Sequence, residues 1–154
     1  EFLPAAAERI ATLAGVKYTW EDLNDFSLTL DGGGEALDVL YGHDETLLAG
    51  LALGARGAVG STYNFAAPLY LRLMEAMAAG DMETARDLQR TSRQMIAALR
   101  GVAESFLPAA KTVMAMVGVD CGPVRPPLAA LAPAQTEAVR TALERLGFEA
   151  FRNR

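Results

Sequence analysis

Lysine is almost missing from this chain: of its 14 lysine and arginine residues, only Lys17 and Lys111 are lysines. Cysteine and histidine are scarcer still, with one of each. A lone cysteine, Cys121, cannot close an internal disulfide, so the sequence suits a reducing compartment and reads as cytoplasmic, with Cys121 a small buried hydrophobe. A lone histidine, His43, excludes a histidine cluster, and no spacing of ligand residues points to a metal. No apolar run reaches membrane-spanning length, and the N-terminal residues lack the charged-then-apolar pattern of a signal. Basic charge is also in deficit. The net charge of -5 and sequence pI near 4.9 argue against nucleic acid or an anionic membrane as partner, since either needs a basic face.

What is present is apolar material in a regular order. The 154 residues are 51% hydrophobic and 21% charged, enough for a sizeable core in one soluble domain or part of a larger one. Leu3, Ala6, Ala7, Ile10 and Leu13 share one face of a predicted helix over Phe2 to Leu13. A strand follows at Gly15 to Tyr18. Thr19 then stands as N-cap, with Asp22 three residues on, of a helix whose buried stripe is Leu23, Phe26 and Leu30. Asp31-Gly32-Gly33-Gly34 ends that helix; with no Lys-Ser/Thr pair behind it, the run is a connection and not a phosphate loop. Next come a strand over Leu37 to Tyr41, a helix carrying Thr46, Leu47, Leu48, Leu51 and Leu53, and a third strand over Gly57 to Ser61. Another helix begins near Phe65. Gly54, Gly57 and Gly60 lead into a strand instead of following one, which excludes a dinucleotide-binding turn. Three strand-helix units in succession imply a parallel sheet with right-handed crossovers, in a doubly wound or barrel fold.

Beyond Gly80 only helices are predicted. One runs from Asp81 to about Arg100 with Ala85, Leu88, Ser92, Met95 and Leu99 on its buried face, a second begins after Pro108 and covers Lys111 to Val117, and a third runs from Pro133 to Leu146 with Val139, Leu143 and Leu146 inward. Three short parallel strands leave both sheet edges open, whereas a closed barrel of this kind needs eight. The chain is therefore expected to be the C-terminal portion of a longer protein.

In parallel α/β folds the working residues gather where strands end and the loops to the following helices converge. The first strand ends in Lys17 and Thr19, the second in Gly42, His43, Asp44 and Glu45, the third in Gly60, Ser61, Thr62, Tyr63 and Asn64. Taken singly, Thr19, Asp44 and Asn64 are ordinary helix caps, and Lys17 is a surface lysine lying over apolar neighbours. Together they put one amine, two adjacent carboxylates and a row of hydroxyls on one rim. Arginine stays protonated at any accessible pH, whereas a lysine amine can be neutral and attack a carbonyl to form a Schiff base. A carbonyl compound bearing many hydroxyls would suit such a rim. His43 fits a rim residue facing substrate or solvent better than a general base.

Gly15-Val16-Lys17-Tyr18-Thr19, Tyr41-Gly42-His43-Asp44-Glu45 and Gly57-Ala58-Val59-Gly60-Ser61-Thr62-Tyr63-Asn64 resemble, in order and separation, the N-acetylneuraminate lyase family of pyruvate-dependent class I aldolases. Gly122-Pro123-Val124-Arg125-Pro126-Pro127-Leu128 is similar too. The first block is shared with dihydrodipicolinate synthase, whereas the Ser-Thr-Tyr-Asn run favours the lyase subgroup. This resemblance implies a (β/α)8 TIM barrel, with residues 1–80 its last strand-helix units and 81–154 a C-terminal helical extension packed on it. It implies that Lys17 is the Schiff-base lysine and that Thr19, Gly42, Asp44, Glu45, Gly60 and Ser61 contact the hydroxylated part of a keto-acid sugar. No cofactor would be needed beyond the covalent adduct, the substrates would be N-acetylneuraminate or its halves N-acetylmannosamine and pyruvate, and the assembly would be a homotetramer. The family's Gly-[Ser/Thr]-Thr-Gly-Glu motif, which holds the pyruvate carboxylate, and its Tyr-x-x-Pro tyrosine are absent from these residues. The isolated piece is accordingly expected to be inactive and poorly soluble. Two other readings stand beside this one: a different keto-acid sugar aldolase or dehydratase of the same superfamily, and a non-catalytic helical interaction module.

Overall fold

Asp22, and not Thr19, starts the first long helix. In the structure, a computed structural model describing residues 2–153, the Asp22 carboxylate accepts hydrogen bonds from the backbone N–H groups of Asn24 and Asp25 at 2.8 and 3.1 Å. Both residues are capable caps, but the chain needs Thr19 to Glu21 to turn out of the strand before a helix can begin. The chain divides into two compact units, residues up to Gly60 and residues from Ser61 onward.

The first unit contains α1 (Phe2–Arg9), β1 (Gly15–Tyr18), α2 (Leu23–Gly33), β2 (Asp38–Tyr41), a 3-10 turn (Asp44–Thr46) and α3 (Leu47–Ala52). The helix expected to reach Leu13 thus stops at Arg9, and the one expected from Thr46 to Leu53 is a single 3-10 turn followed by six residues of α-helix. β1 and β2 are parallel, with Lys17 opposite Leu40 and Tyr18 opposite Tyr41. The third strand shrinks to one parallel bridge, Tyr41 to Ala58, held by Tyr41 N–H on the Gly57 carbonyl and Val59 N–H on the Tyr41 carbonyl at 3.0 and 2.9 Å. Glycine at 57 and 60 supplies no side chain to pack and raises the entropic cost of an extended backbone, so pairing does not propagate.

Strand alternation sorts the side chains onto two faces. Phe26 of α2 is fully buried between the rings of Tyr18 and Tyr41, at 5.2 and 4.8 Å, so the even position in β1 and the odd position in β2 face the helices. Gly50 lets α3 lie directly on the Tyr41 ring, where a β-carbon would approach to 2.6 Å. Lys17 and Leu40 consequently project from the opposite face.

The second unit contains α4 (Tyr63–Ala78), α5 (Met82–Arg100), α6 (Phe106–Met116), α7 (Pro133–Arg145) and a closing 3-10 turn (Phe148–Ala150). On α5, Ala85, Leu88, Ser92, Met95 and Leu99 are all buried, and Asp81 caps its start by accepting from Thr84 N–H. α6 begins at Phe106, before Pro108 and not after it, because Pro108 fits within a first turn, where its missing N–H costs nothing. Val139 and Leu143 of α7 are buried, while Leu146 is half-buried. Cys121 lies on an exposed loop and is not the buried hydrophobe expected. That loop is braced by Lys111, whose ammonium donates to the Cys121, Gly122 and Pro123 carbonyls at 3.1, 3.3 and 2.9 Å.

α4 opens with a break in its helical path: Ala66 has φ -138° and ψ 31°, and Pro68 offers no N–H. Asn153 repairs the damage. Its side chain accepts from Ala67 N–H at 2.8 Å and donates to the Tyr63 and Asn64 carbonyls at 3.2 and 2.9 Å, and its own N–H reaches the Phe65 carbonyl at 2.9 Å.

Candidate active site

The predicted residues of the first unit do converge at the C-terminal ends of its strands. Gly42 continues the ladder beyond β2, its N–H donating to the Tyr18 carbonyl at 2.7 Å. That bond draws the two strand ends together so tightly that a β-carbon on Gly42 would strike the Thr19 hydroxyl and come within 2.7 Å of the Lys17 ε-carbon. Lys17 and Thr19 are both exposed, whereas Gly42 is buried. The absent side chain at residue 42 thus defines where the amine and the hydroxyl lie.

Asp44 is only 6% exposed. Its carboxylate rests against the α-carbon of Gly60, where any β-carbon would overlap it. Neither Asp44 nor Asn64 caps a helix: Asp44 opens the 3-10 turn, and Asn64 lies within α4 with its side-chain amide donating to the Ser61 carbonyl at 3.0 Å. Glu45, with its side chain 20% exposed, lies 3.5 Å from His43 Nδ1. Ser61 opens the second unit as an exposed residue.

Two tyrosines near the amine are already committed. The Tyr18 hydroxyl lies 2.9 Å from both the Asp22 carbonyl and Asp25 Oδ2, and burial together with the Asp25 carboxylate that receives its proton pushes its pKa up to about 12. The Tyr41 hydroxyl, on a residue 1% exposed, meets Thr46 Oγ1 at 2.7 Å. Both are fixed structural groups on the helix side of the sheet. Sequence reading gave no hint of the contact series from Tyr41 through Thr46 to His43; a hydroxyl three residues after a histidine in a 3-10 turn is the one local signal it carries.

Two concavities flank the strands of this unit, and one of them reaches Lys17. One of about 520 Å³, lined by Asp31, Gly34, Leu37, Asp38 and Arg56, sits where the strands begin. Another of about 490 Å³ follows β1 and is lined by Lys17 together with Phe2, Pro4, Tyr18 and Leu28, along an edge with no strand partner among the described residues. Strand-end chemistry in parallel α/β folds favours the Lys17 side over the concavity where the strands begin. Among the described residues, no three histidine, cysteine or acidic side chains gather closely enough to hold a metal ion, and no helix is long and apolar enough to cross a membrane.

Residues 5–146 match the profile of the dihydrodipicolinate synthetase family. The chain belongs to that family. Among curated members, it is 34% identical over 143 residues to the N-acetylneuraminate lyase of Rhizobium meliloti (strain 1021), covering 92% of this chain and 47% of that protein. It is 40% identical over 131 residues to the N-acetylneuraminate lyase of Lactiplantibacillus plantarum, covering 85% and 44%. Among solved structures, the Proteus mirabilis N-acetylneuraminate lyase superposes with a TM-score of 0.88 at 37% identity, over 96% of this chain and 49% of that one. The chain thus spans about half the length of the relatives it matches. Its fold is a partial TIM barrel followed by helices, as the family predicts.

Proposed function

We propose that the full-length protein is a Schiff-base aldolase that cleaves N-acetylneuraminate to N-acetylmannosamine and pyruvate, and that Lys17 is its nucleophile. The observation carrying this reading is the packing of the Lys17 ε-carbon and the Thr19 hydroxyl against Gly42 at neighbouring strand ends, in a chain of this family. Names of the similar proteins support the choice of substrate.

The chemistry follows from the amine. Lys17 Nζ adds to the keto carbon of the open-chain sugar acid, water leaves, and the resulting iminium draws electrons from the carbon–carbon bond between its α- and β-carbons. That bond breaks as the hydroxyl on the departing carbon loses its proton, so N-acetylmannosamine leaves as the aldehyde. The enamine left on Lys17 takes up a proton, and water hydrolyses the iminium to release pyruvate and the free amine. No metal or organic cofactor enters this sequence. Thr19, Gly42, Asp44, Glu45, Gly60 and Ser61 are assigned to the hydroxylated portion, with the two carboxylates accepting hydrogen bonds from sugar hydroxyls.

Residues 1–80 are assigned to the last strand-helix units of the barrel and residues 81–154 to its C-terminal helical extension. Groups that hold the pyruvate carboxylate and relay the proton belong to the remainder of the full-length protein; Tyr18 and Tyr41, already hydrogen-bonded on the helix side, are unsuited to the relay. A cytoplasmic homotetramer completes the reading.

Borohydride reduction of the full-length protein with pyruvate tests it. A pyruvate-derived mass gain mapped to Lys17, lost in Lys17→Arg, is expected. An adduct that persists in Lys17→Arg would place the nucleophile elsewhere, and its absence from the unaltered protein would favour a non-catalytic module.

A further inference from the structure

We propose that His43 is a positioning residue that holds the Glu45 carboxylate in place to receive sugar hydroxyls, and so sets affinity for the sugar half of the substrate. The inference rests on the aldolase reading and names a residue to which that reading gives no part.

A graded series of contacts carries it. At one end stands Tyr41, 1% exposed, packed on Phe26 and covered by Gly50. Its hydroxyl lies 2.7 Å from Thr46 Oγ1, and the same oxygen lies 3.3 Å from His43 Nδ1. That ring nitrogen is also 3.5 Å from Glu45 Oε2, so the braced hydroxyl and the rim carboxylate meet at the same edge of the imidazole. The other nitrogen, Nε2, is 3.8 Å from Glu21 Oε1. Exposure separates the two acidic contacts: the His43 and Glu45 side chains are 22% and 20% exposed, but Glu21 is 83% exposed. Solvent screens the Glu21 contact to little effect, whereas the Glu45 contact lies on the sheltered side.

The two adjacent carboxylates of the rim are therefore fixed by different means. Asp44 is wedged against Gly60 by shape. Glu45 is longer, has more rotatable bonds and lies beside a ring that is itself tied back to the sheet through Thr46 and Tyr41. A carboxylate held before the ligand arrives loses less freedom on binding, and the gain appears in affinity for the groups it contacts. Pyruvate carries no hydroxyl for Glu45 to receive. The influence of His43 should accordingly fall on the sugar alone.

The test uses the full-length protein in the condensation direction, with His43→Phe and His43→Gln. His43→Phe is expected to raise the KM for N-acetylmannosamine about tenfold while the KM for pyruvate and the yield of borohydride-trapped Lys17 stay within about twofold. His43→Gln, which keeps a donor for Glu45, should recover most of that loss. An unchanged sugar KM in His43→Phe, a parallel rise in both KM values, or no recovery in His43→Gln would overturn the proposal. Should His43→Phe fail to fold, Thr46→Val removes the brace from behind the ring, and the same sugar-selective rise, of smaller size, is expected; an unchanged sugar KM there is equally decisive against it. Failure of the unaltered protein to trap pyruvate on Lys17 is a separate result, one that removes the aldolase reading and this inference with it.

Discussion

The ε-carbon of Lys17 and the α-carbon of Gly42 lie so close that a methyl group on the glycine would come within 2.7 Å of the lysine side chain. Gly42→Ala should therefore displace the amine and cost about 1–3 kcal/mol through overpacking. Trapping of pyruvate on the full-length variant should fall at least about tenfold, because a misplaced nucleophile loses its attack geometry. Gly32→Ala is the matched control. Gly32 lies in α2 with its nearest neighbour, Pro4 Cδ, 3.9 Å from the added carbon, so helix propensity should raise stability by up to about 1 kcal/mol. Thermal melting of both variants checks the contrast in sign.

Gly60→Ala makes the same kind of demand on Asp44. The new methyl would occupy the position of the carboxylate, which must swing away from a site where it is 6% exposed. Weaker binding of the sugar, with pyruvate trapping retained, is expected from titration of each ligand against the full-length variant.

Tyr18 supplies a pH signature. Its pKa in the folded chain is about 12 against 10.0 for an unperturbed tyrosine. Below pH 10 both folded and unfolded chains hold the proton and the stabilisation is fully present; as pH rises toward 12 the unfolded chain releases the proton first, and the stabilisation is lost. Absorbance titration of the phenols should show a late component that Tyr18→Phe removes. The pH dependence of unfolding between those limits should be shallower in that variant.

Tyr70→Phe tests the second unit by itself. The Tyr70 hydroxyl meets Thr62 Oγ1 at 2.5 Å and Ser92 Oγ at 2.9 Å, and all three residues are buried. Removing one oxygen takes a partner from two buried hydroxyls and should cost about 1–3 kcal/mol. Denaturant unfolding with a lower midpoint and an unchanged slope is the expected result.

Features set by local pattern were readable from the sequence. β1 spans the four residues predicted, and every residue assigned to the buried stripe of α5 is buried, because period and burial coincide there. The strand-end grouping of Lys17, Thr19 and Gly42 was also legible, since parallel topology alone fixes that rim. Competition between equals was not. Thr19 and Asp22 are both suitable caps, and the choice between them depends on the path of the intervening turn. The third strand failed because its apolar character promised pairing while its glycines withheld it. The Asn153 contacts had no local signature at all, and the brace behind His43 depends on a tyrosine hydroxyl reaching across a turn.

Asn153 ties the opening turn of α4 to a point 86 to 90 residues further along the chain. The turn has surrendered part of its own hydrogen bonding to Ala66 and Pro68, so its completion is a long loop closure, with an entropic cost that nearby turns escape. Ser61 and Thr62, immediately before that turn, therefore join a segment whose rigidity arrives late. During synthesis this stretch leaves the ribosome well ahead of the residue that locks it.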